Sequence, residues 1–221
     1  MQPVTATFDH LALWHAPLDA GARVFSERLS APFETGGAHA GQGTRNRLMG
    51  AGEGAYLELL GPDEDQAGGP LVDRFASADP LSICLVAYRT RSLDELAKRV
   101  NALGVSAPPP FEMSREKDGQ RISWRLLYLM DPRFPQLPFF IDWGETAHPS
   151  SQLADVLSVE DLACLAPEPS VVEEIFKTLD IDLEVRAHPQ PGWAVKLKTQ
   201  TATLGLQSVF DKAGAIETKM S

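Results

Sequence analysis

The alternation of hydrophobic and polar residues predicts a structural unit made of a strand, a helix and three further strands. Phe8 to Trp14 alternates as a strand does, and Leu18 to Leu29 repeats its apolar residues at helical spacing. A glycine-rich turn is predicted from Gly36 to Gly43. The other strands predicted for this unit are a short one at Phe33-Glu34, then Thr44 to Met49 and Ala55 to Leu60.

The same order of elements recurs twice, which predicts an internal repeat of three copies. In the second copy, a strand at Leu81 to Ala87 precedes a helix opened by the capping-box sequence Ser92 to Glu95. In the third copy, a strand at Asp155 to Ala166 precedes a helix that a second capping box, Ser170 to Glu173, opens and that ends near Leu179. Further strands are predicted at Ile122 to Met130, Leu137 to Trp143, and near residues 183–186, 193–198 and 203–207.

Two irregular segments interrupt the repeated pattern, the first between the first and second copies and the other within the second copy. The Gly-, Pro- and acid-rich stretch 61–80 predicts a linker with a helical turn near residues 71–76. The charged stretch Glu112 to Gln120 predicts a hairpin that turns at Asp118-Gly119. We therefore expect two modules, about residues 6–61 and 80–145, in one domain over residues 1–150, and a third, degenerate module over residues 151–221.

Composition narrows the range of partners and compartments. The net charge is −10 and the pI about 4.9, which argues against a surface for nucleic acid or for an anionic membrane. The sequence contains neither an apolar run of membrane-spanning length nor a signal-peptide pattern. Cys84 and Cys164 lie in apolar segments, so we predict free thiols and a cytoplasmic protein. No P-loop, HExxH, GxSxG or GxGxxG motif occurs, and no nucleotide cofactor is expected.

The candidate chemistry begins with a lone acid, Glu58, in the apolar strand sequence Tyr56 to Leu60. A carboxylate inside a half-buried strand is costly unless another group pairs with it. Asp142 repeats this theme in the apolar segment Leu137 to Trp143. His10, in the first strand, is the candidate partner of Glu58.

The sequence resembles the vicinal oxygen chelate superfamily, and within it the glyoxalase-like domain proteins. The matching pieces are FDHLAL, GGAHAGQGTRNRLM with GAYLELLGP, and PFFIDW followed by HPS. The resemblance implies an α+β fold in which paired βαβββ modules curl into an open, cup-shaped mixed barrel. It also implies that His10, Glu58 and Asp142 are metal ligands, with Cys84 at the remaining ligand position. Because superfamily enzymes usually carry His, Gln or Glu where Cys84 stands, a dioxygenase reaction is disfavoured.

The resemblance implies a lyase or isomerase that acts on a small oxygen-rich organic acid or carbonyl compound. A divalent ion (Zn, Ni, Mn or Fe) would bind the substrate oxygens, and Glu58 would be both ligand and base. Three alternatives stay open at this point. His10 and Glu58 are equally explained as a hydrogen-bonded pair without metal, the protein as a small-molecule binder that uses the same cup, and the third copy as an interaction module.

Other residues are candidates for contacts with the ligand. His39 is either an acid or base in the glycine turn or a solvated surface histidine. Thr44 and Asn46 share one strand face and are candidate hydrogen-bonding groups. Arg125 is a candidate carboxylate clamp, with a solvated outer-face arginine as the alternative, and Trp143 is a candidate pocket wall or core residue. The expected partner is a small molecule, with a homodimer as an alternative to the monomer, and neither nucleic acid nor membrane.

Overall fold

The computed structural model of the chain describes residues 5–117, 120–212 and 215–221. Its first two repeats form one eight-stranded sheet with the strand order β2-β3-β4-β1-β5-β8-β7-β6. β1 and β5 pair antiparallel at the centre, while β1 pairs with β4 and β5 with β8 in parallel. The strands of this sheet are Thr7–Trp14 (β1), Glu34–His39 (β2), Thr44–Gly50 (β3), Tyr56–Pro62 (β4), Ser82–Arg89 (β5), Phe111–Lys117 (β6), Gln120–Leu127 (β7) and Phe139–Asp142 (β8).

The third repeat forms a separate five-stranded sheet with the order β10-β9-β11-β12-β13. It packs behind β5 through a buried polar contact, in which the Ile83 amide donates to Ser208 Oγ at 2.8 Å. Because the buried apolar residues of both sheets form one cluster, the third repeat completes the same core. Its strands are Ser158–Ala166 (β9), Glu184–Ala187 (β10), Gly192–Lys198 (β11), Thr203–Phe210 (β12) and Ile216–Met220 (β13). The predicted boundary between two domains near residue 150 stays a prediction.

Each repeat carries one helix after its first strand, as the apolar spacing predicts. The helices of the repeats are amphipathic and bury a hydrophobic stripe against the sheets. A short additional helix lies in the predicted linker and buries Phe75. The helices are Leu18–Leu29 (α1), Pro70–Phe75 (α2), Leu93–Ala102 (α3) and Pro169–Thr178 (α4), with a 3-10 turn at Pro149–Gln152. No helix among the described residues has the length and apolar character needed to cross a membrane.

The α+β architecture of paired modules with a third, degenerate copy is confirmed, but four local predictions were wrong. Residues 36–39, predicted as turn, belong to β2, because the Gly36-Gly37 pair forms a bulge that keeps β2 paired with β3. The Ser92 side chain makes no capping hydrogen bond, and α4 begins at Pro169, ahead of Ser170. β13 was missed because it buries only Ile216. The predicted turn at Asp118-Gly119 lies outside the described residues.

Candidate functional site

The eight-stranded sheet curls around a cup of about 630 Å³, a volume that includes space open to solvent. The hydrogen-bonding polar side chains on its wall come from the first repeat, namely His10, His39, Asn46 and Glu58. The second repeat supplies mainly apolar and aromatic side chains. These are Leu85, Met113, Trp124, Leu126, Tyr128, Phe139, Ile141 and Trp143.

Glu58 lies at the centre of the polar wall, on β4, and is only 7% exposed. The Asn46 amide nitrogen Nδ2 donates to Glu58 Oε1 at 2.5 Å. The other carboxylate oxygen, Oε2, lies 3.6 Å from His10 Nε2. Among the described residues, no hydrogen bond reaches Oε2. This oxygen and the His10 nitrogen therefore lie side by side, and both residues line the cup.

The backbone of β2 fixes the orientation of Asn46. The Gly37 amide donates to Asn46 Oδ1 at 2.7 Å, which identifies that atom as the oxygen and turns Nδ2 toward Glu58. This close approach requires glycine at position 36, since an added Cβ there would lie 1.9 Å from Asn46 Oδ1. Gly36 and Gly37 thus hold the Asn46 side chain in place at the cup. The predicted glycine turn did not include this role.

His39 extends the same hydrogen-bonded chain. Its Nε2 lies 3.4 Å from Asn46 Nδ2 and 3.8 Å from Glu58 Oε1. Because Asn46 Nδ2 is a donor, His39 Nε2 is the acceptor, and His39 Nδ1 donates to Thr44 Oγ1 at 3.0 Å. Thr44 is fully buried and acts on the cup only through His39. The structure therefore brings together four predicted site residues of the first repeat with Thr44 behind them.

Asp9 is a functional candidate that the sequence analysis missed. Its side chain is fully buried, and its Oδ1 accepts from His10 Nδ1 at 2.6 Å. Its Oδ2 accepts from Trp143 Nε1 at 3.0 Å and from His148 Nε2 at 2.9 Å. Burial opposes ionisation, but the hydrogen bonds from His10 and His148 outweigh it and hold the pKa of Asp9 well below its usual value. The available signal was a second acid in an apolar strand, next to a histidine.

The contacts of Asp9 and His148 define the tautomers of both imidazoles. The Ser150 amide donates to His148 Nδ1 at 3.2 Å, so His148 Nε2 carries the hydrogen that Asp9 accepts. A carboxylate accepts only, so His10 Nδ1–H is the donor to Asp9. In its neutral form, His10 therefore presents the lone pair of Nε2 to the cup.

Asp142 and Cys84 do not reach the cup, which corrects two expectations. Helix α1 begins at 18 and α3 at 93, an offset of 75 (93 − 18), so the counterpart of His10 is Leu85 (10 + 75). The β-strand partner of Ala12 is Glu58, and that of its counterpart Ala87 is Phe139. Because successive strand residues point to opposite faces, this register turns the predicted residues out of the cup.

The two displaced side chains have partners elsewhere. Asp142 Oδ1 accepts from the Gly144 amide at 2.9 Å and lies 3.4 Å from Arg91 Nη1, so it caps a strand end. Cys84 is buried, and its thiol donates to the Ala12 carbonyl at 3.3 Å. Cys84 and Cys164 are both free, as predicted.

The arginines also lie outside the cup. Arg125 pairs with Asp94 at 3.1 Å on an exposed face, and Arg45 and Arg47 pair with Asp19 at 3.2 and 2.8 Å. None of these three residues lines the cup. For Arg125 the ion pair with Asp94 favours the alternative of a solvated outer-face arginine, and the carboxylate clamp stays a prediction. Trp143, by contrast, lines the cup with its ring packed against Trp124 at a centroid distance of 5.6 Å.

Comparison with known proteins agrees with this architecture. The family model described as "Glyoxalase-like domain" matches residues 8–179. The fold and the cup define a protein of the vicinal oxygen chelate class. Because the match covers more than half of the chain, the protein belongs to the glyoxalase-like domain family.

One solved structure shows the same fold at low sequence identity, and others are similar over part of this chain. A hypothetical protein from Staphylococcus aureus is 19% identical, with a TM-score of 0.60 over 96% of this chain and 98% of that chain. A hypothetical protein from Bacillus halodurans is 18% identical, with a TM-score of 0.49 over 64% and 97%. Methylmalonyl-CoA epimerase from Mycobacterium tuberculosis is 20% identical, with a TM-score of 0.45 over 65% and 93%. A search of curated proteins finds no match.

Divalent metals are common in this superfamily, but the side chains at this cup do not fit one. Within the described ranges, no group of three His, Cys, Asp or Glu side chains is placed to hold a metal ion. The second repeat places Leu85 and Phe139 where further ligands would have to stand. In addition, Glu58 Oε1 already accepts a hydrogen bond from the Asn46 NH₂ group, and the positive end of this donor repels cations. The predicted set of His10, Glu58 and Asp142 is not assembled.

Proposed function

We propose that the protein is an enzyme that binds a small organic molecule in the cup and moves a proton on it, in a lyase or isomerase reaction. The observation that carries this proposal is the pair formed by Glu58 Oε2 and His10 Nε2, which lie 3.6 Å apart on the buried polar wall. Two acceptor atoms at this separation suit a ligand proton between them. Glu58 takes the proton from the ligand. His10 then accepts this proton from Glu58, or returns it to another atom of the ligand.

The surroundings support acid-base chemistry by this pair. Asp9 holds His10 by its Nδ1, and Asn46 holds Glu58 by Oε1, so both reactive atoms are fixed before a ligand enters. The apolar second-repeat wall excludes water and strengthens the electrostatic interactions inside the cup. No step of this proposal uses a divalent metal.

The walls also limit the substrate. Arg45, Arg47 and Arg125 pair with acids outside the cup, so these three arginines supply no counter-ion to an oxygen-rich polyanion there. The aromatic and aliphatic wall suits a small ligand with an apolar body and one polar group. This narrows the class that the sequence predicts toward carbonyl compounds with an apolar substituent.

The test is solvent deuterium exchange. Small ketones and aldehydes with aromatic or aliphatic substituents are incubated with the protein in D₂O, and deuterium at the carbon next to the carbonyl is followed by NMR. We expect protein-dependent exchange that Glu58→Gln lowers roughly 100-fold or more, the size of a general-base contribution. Glu27→Gln, an exposed acid on α1, is the matched control and should leave exchange unchanged. Equal exchange in the Glu58→Gln variant would refute the proposal.

The second candidate is a protein that binds and sequesters the same class of molecule without chemistry. The mainly apolar wall of the second repeat favours it, because such a wall contributes affinity without a reacting group. Compounds that raise the melting temperature but show no exchange with the wild-type protein would favour this candidate over the enzyme.

A further inference from the structure

Tyr128 is a polar group of the cup that the proton-transfer site does not use. It directly follows β7, in the second repeat, and lines the same space as Glu58. Its ring is stacked between Phe139, at a centroid distance of 5.0 Å, and Phe111, at 6.0 Å. The two aromatic contacts fix the plane of the phenol, so its hydroxyl has little freedom to move.

The hydroxyl of Tyr128 makes no hydrogen bond with any of the described residues. Hydroxyl groups in largely buried positions are normally paired, since an unmade hydrogen bond costs free energy. Phenylalanine would pack equally well between two aromatic rings, and Phe139 beside it shows that the wall accepts one. Among the described residues, the Tyr128 hydroxyl therefore has no partner, and the side chain lines the ligand space.

Electrostatics keep this phenol protonated. Burial raises the pKa of Tyr128 far above its usual value, and the nearby charge of Glu58 raises it further, with Arg74 acting in the opposite direction. The influence of Glu58 means that the phenol oxygen lies within electrostatic reach of the carboxylate. Tyr128 is accordingly a hydrogen-bond donor opposite a proton acceptor, with the ligand space between them.

We propose that Tyr128 donates a hydrogen bond to the carbonyl oxygen of the ligand, so that the cup selects enolisable carbonyl compounds with an apolar body. This inference rests on the proposed function of Glu58. When Glu58 takes a proton from the carbon next to the carbonyl, the C–H electron pair forms a C=C bond and the carbonyl π electrons move to oxygen. The Tyr128 hydroxyl stabilises the resulting enolate oxygen, and return of the proton to the opposite face of that carbon completes an isomerisation without any oxidant or reductant.

The test compares two probes of similar shape, acetophenone and ethylbenzene, which differ in the carbonyl oxygen. Binding is measured by calorimetry or ligand-detected NMR with wild-type protein and with Tyr128→Phe. We expect Tyr128→Phe to weaken acetophenone binding roughly tenfold and to leave ethylbenzene binding unchanged, since only the ketone loses a hydrogen bond. Tyr88→Phe is the matched control, because Tyr88 is a buried tyrosine that does not line the cup.

The possible outcomes separate this inference from the proposed function. If Tyr128→Phe binds both probes as the wild type does, or if ethylbenzene binds the wild type and acetophenone does not, the role of Tyr128 is refuted. Deuterium exchange that still depends on Glu58 in that case would leave the proposed function standing. Failure of both probes to bind the wild-type protein would overturn the carbonyl assignment. Loss of exchange in Tyr128→Phe with native melting temperature would support the role in enolate stabilisation.

Discussion

The two halves of the curled sheet share one order of elements but present opposite chemistry to the cup. The first half contributes His10, His39, Asn46 and Glu58, while the second contributes Leu85 and Phe139 at the positions matching His10 and Glu58. The two halves share the same backbone register, but they do not share the same polar side chains. One half therefore carries the reacting groups, and the other supplies an apolar wall with a single phenol, Tyr128.

The halves also differ in how their polar groups are held. In the first half, a buried carboxylate, Asp9, accepts hydrogen bonds from both His10 and His148. In the second half, the anchoring acid Asp131 lies in the loop after β7 and pairs with the mostly exposed Arg133. Buried networks of the first kind are costly to break, whereas partly exposed pairs contribute less. We therefore expect a larger loss of stability when the first-half network is broken than when the second-half pair is broken.

The largest effect is expected for Asp9→Ala. The substitution leaves the donors on His10, His148 and Trp143 without their shared acceptor, and we expect the free energy of unfolding to fall by roughly 3 kcal/mol. Chemical denaturation measures it. Asp19→Ala is the control, because Asp19 is 55% exposed with its arginine partners at the surface and should cost less than about 1 kcal/mol. Equal losses in the two variants would contradict a special role for the buried network.

A smaller effect is expected for Asn46→Ala. It removes the acceptor of the Gly37 amide and the donor to Glu58, and we expect a loss of about 2 kcal/mol. Gly36→Ala tests the same contact from the other side, because its Cβ would collide with Asn46 Oδ1. The cost of Gly36→Ala should therefore be smaller in the Asn46→Ala background. Strict additivity in this double-mutant cycle would show that β2 does not position Asn46.

The acid anchor of the second half is tested by its pH dependence. Hydrogen bonds from Arg133 lower the pKa of Asp131 from 3.8 to about 2. A depressed folded-state pKa contributes stability above pH 3.8, and that contribution is lost as the pH falls through about 2. Asp131→Asn should therefore cost on the order of 1 kcal/mol at neutral pH, with the deficit closing between pH 3.8 and about 2. A deficit independent of pH, measured by urea denaturation, would contradict this assignment.

The smallest effect concerns the thiols. Burial raises the pKa of Cys84 and of Cys164, so neither thiolate forms readily in the folded protein. Iodoacetamide at pH 8 should label neither cysteine under native conditions and both after unfolding in denaturant. Mass spectrometry of tryptic peptides gives the count. Rapid native labelling of Cys84 would mean that it faces the ligand space, which would undo the register argument that places Leu85 there.

The repeat and most of its elements could be predicted from the sequence because periodicity is a strong local signal. Leu18–Leu29 was predicted to the residue, and the lone acid Glu58 led to His10 through the cost of burying a charge. Asn46 was predicted as a contact of the ligand and not as the partner of Glu58. Cys84 and Asp142, the ligands expected from the second half, do not line the cup, for a reason that residue spacing alone does not reveal. A shift of one residue in a strand changes the face, so Cys84 and not Leu85 was matched to His10.

The remaining misses are long-range contacts. Asp9 meets Trp143 and His148 across more than a hundred residues of sequence, and neither pairing has a local pattern. The sequence left two alternatives open for Arg125 because its surface partner, Asp94, lies on a helix distant in sequence. The strands could be predicted from the sequence. The direction and the partner of each polar side chain could not, because they depend on the register in which the strands pair.

Histidine-selective ¹⁵N NMR tests the central claim, that the first-half wall is preorganised to take a proton from a ligand. Spectra are recorded with and without acetophenone, and resonances are assigned with His10→Gln and His148→Gln. The account predicts that His10 carries its hydrogen on Nδ1 and that acetophenone shifts its Nε2 signal, while His188 in the third repeat does not respond. A hydrogen on His10 Nε2 in its neutral form, or a ligand that shifts His188 and leaves His10 unchanged, would contradict it.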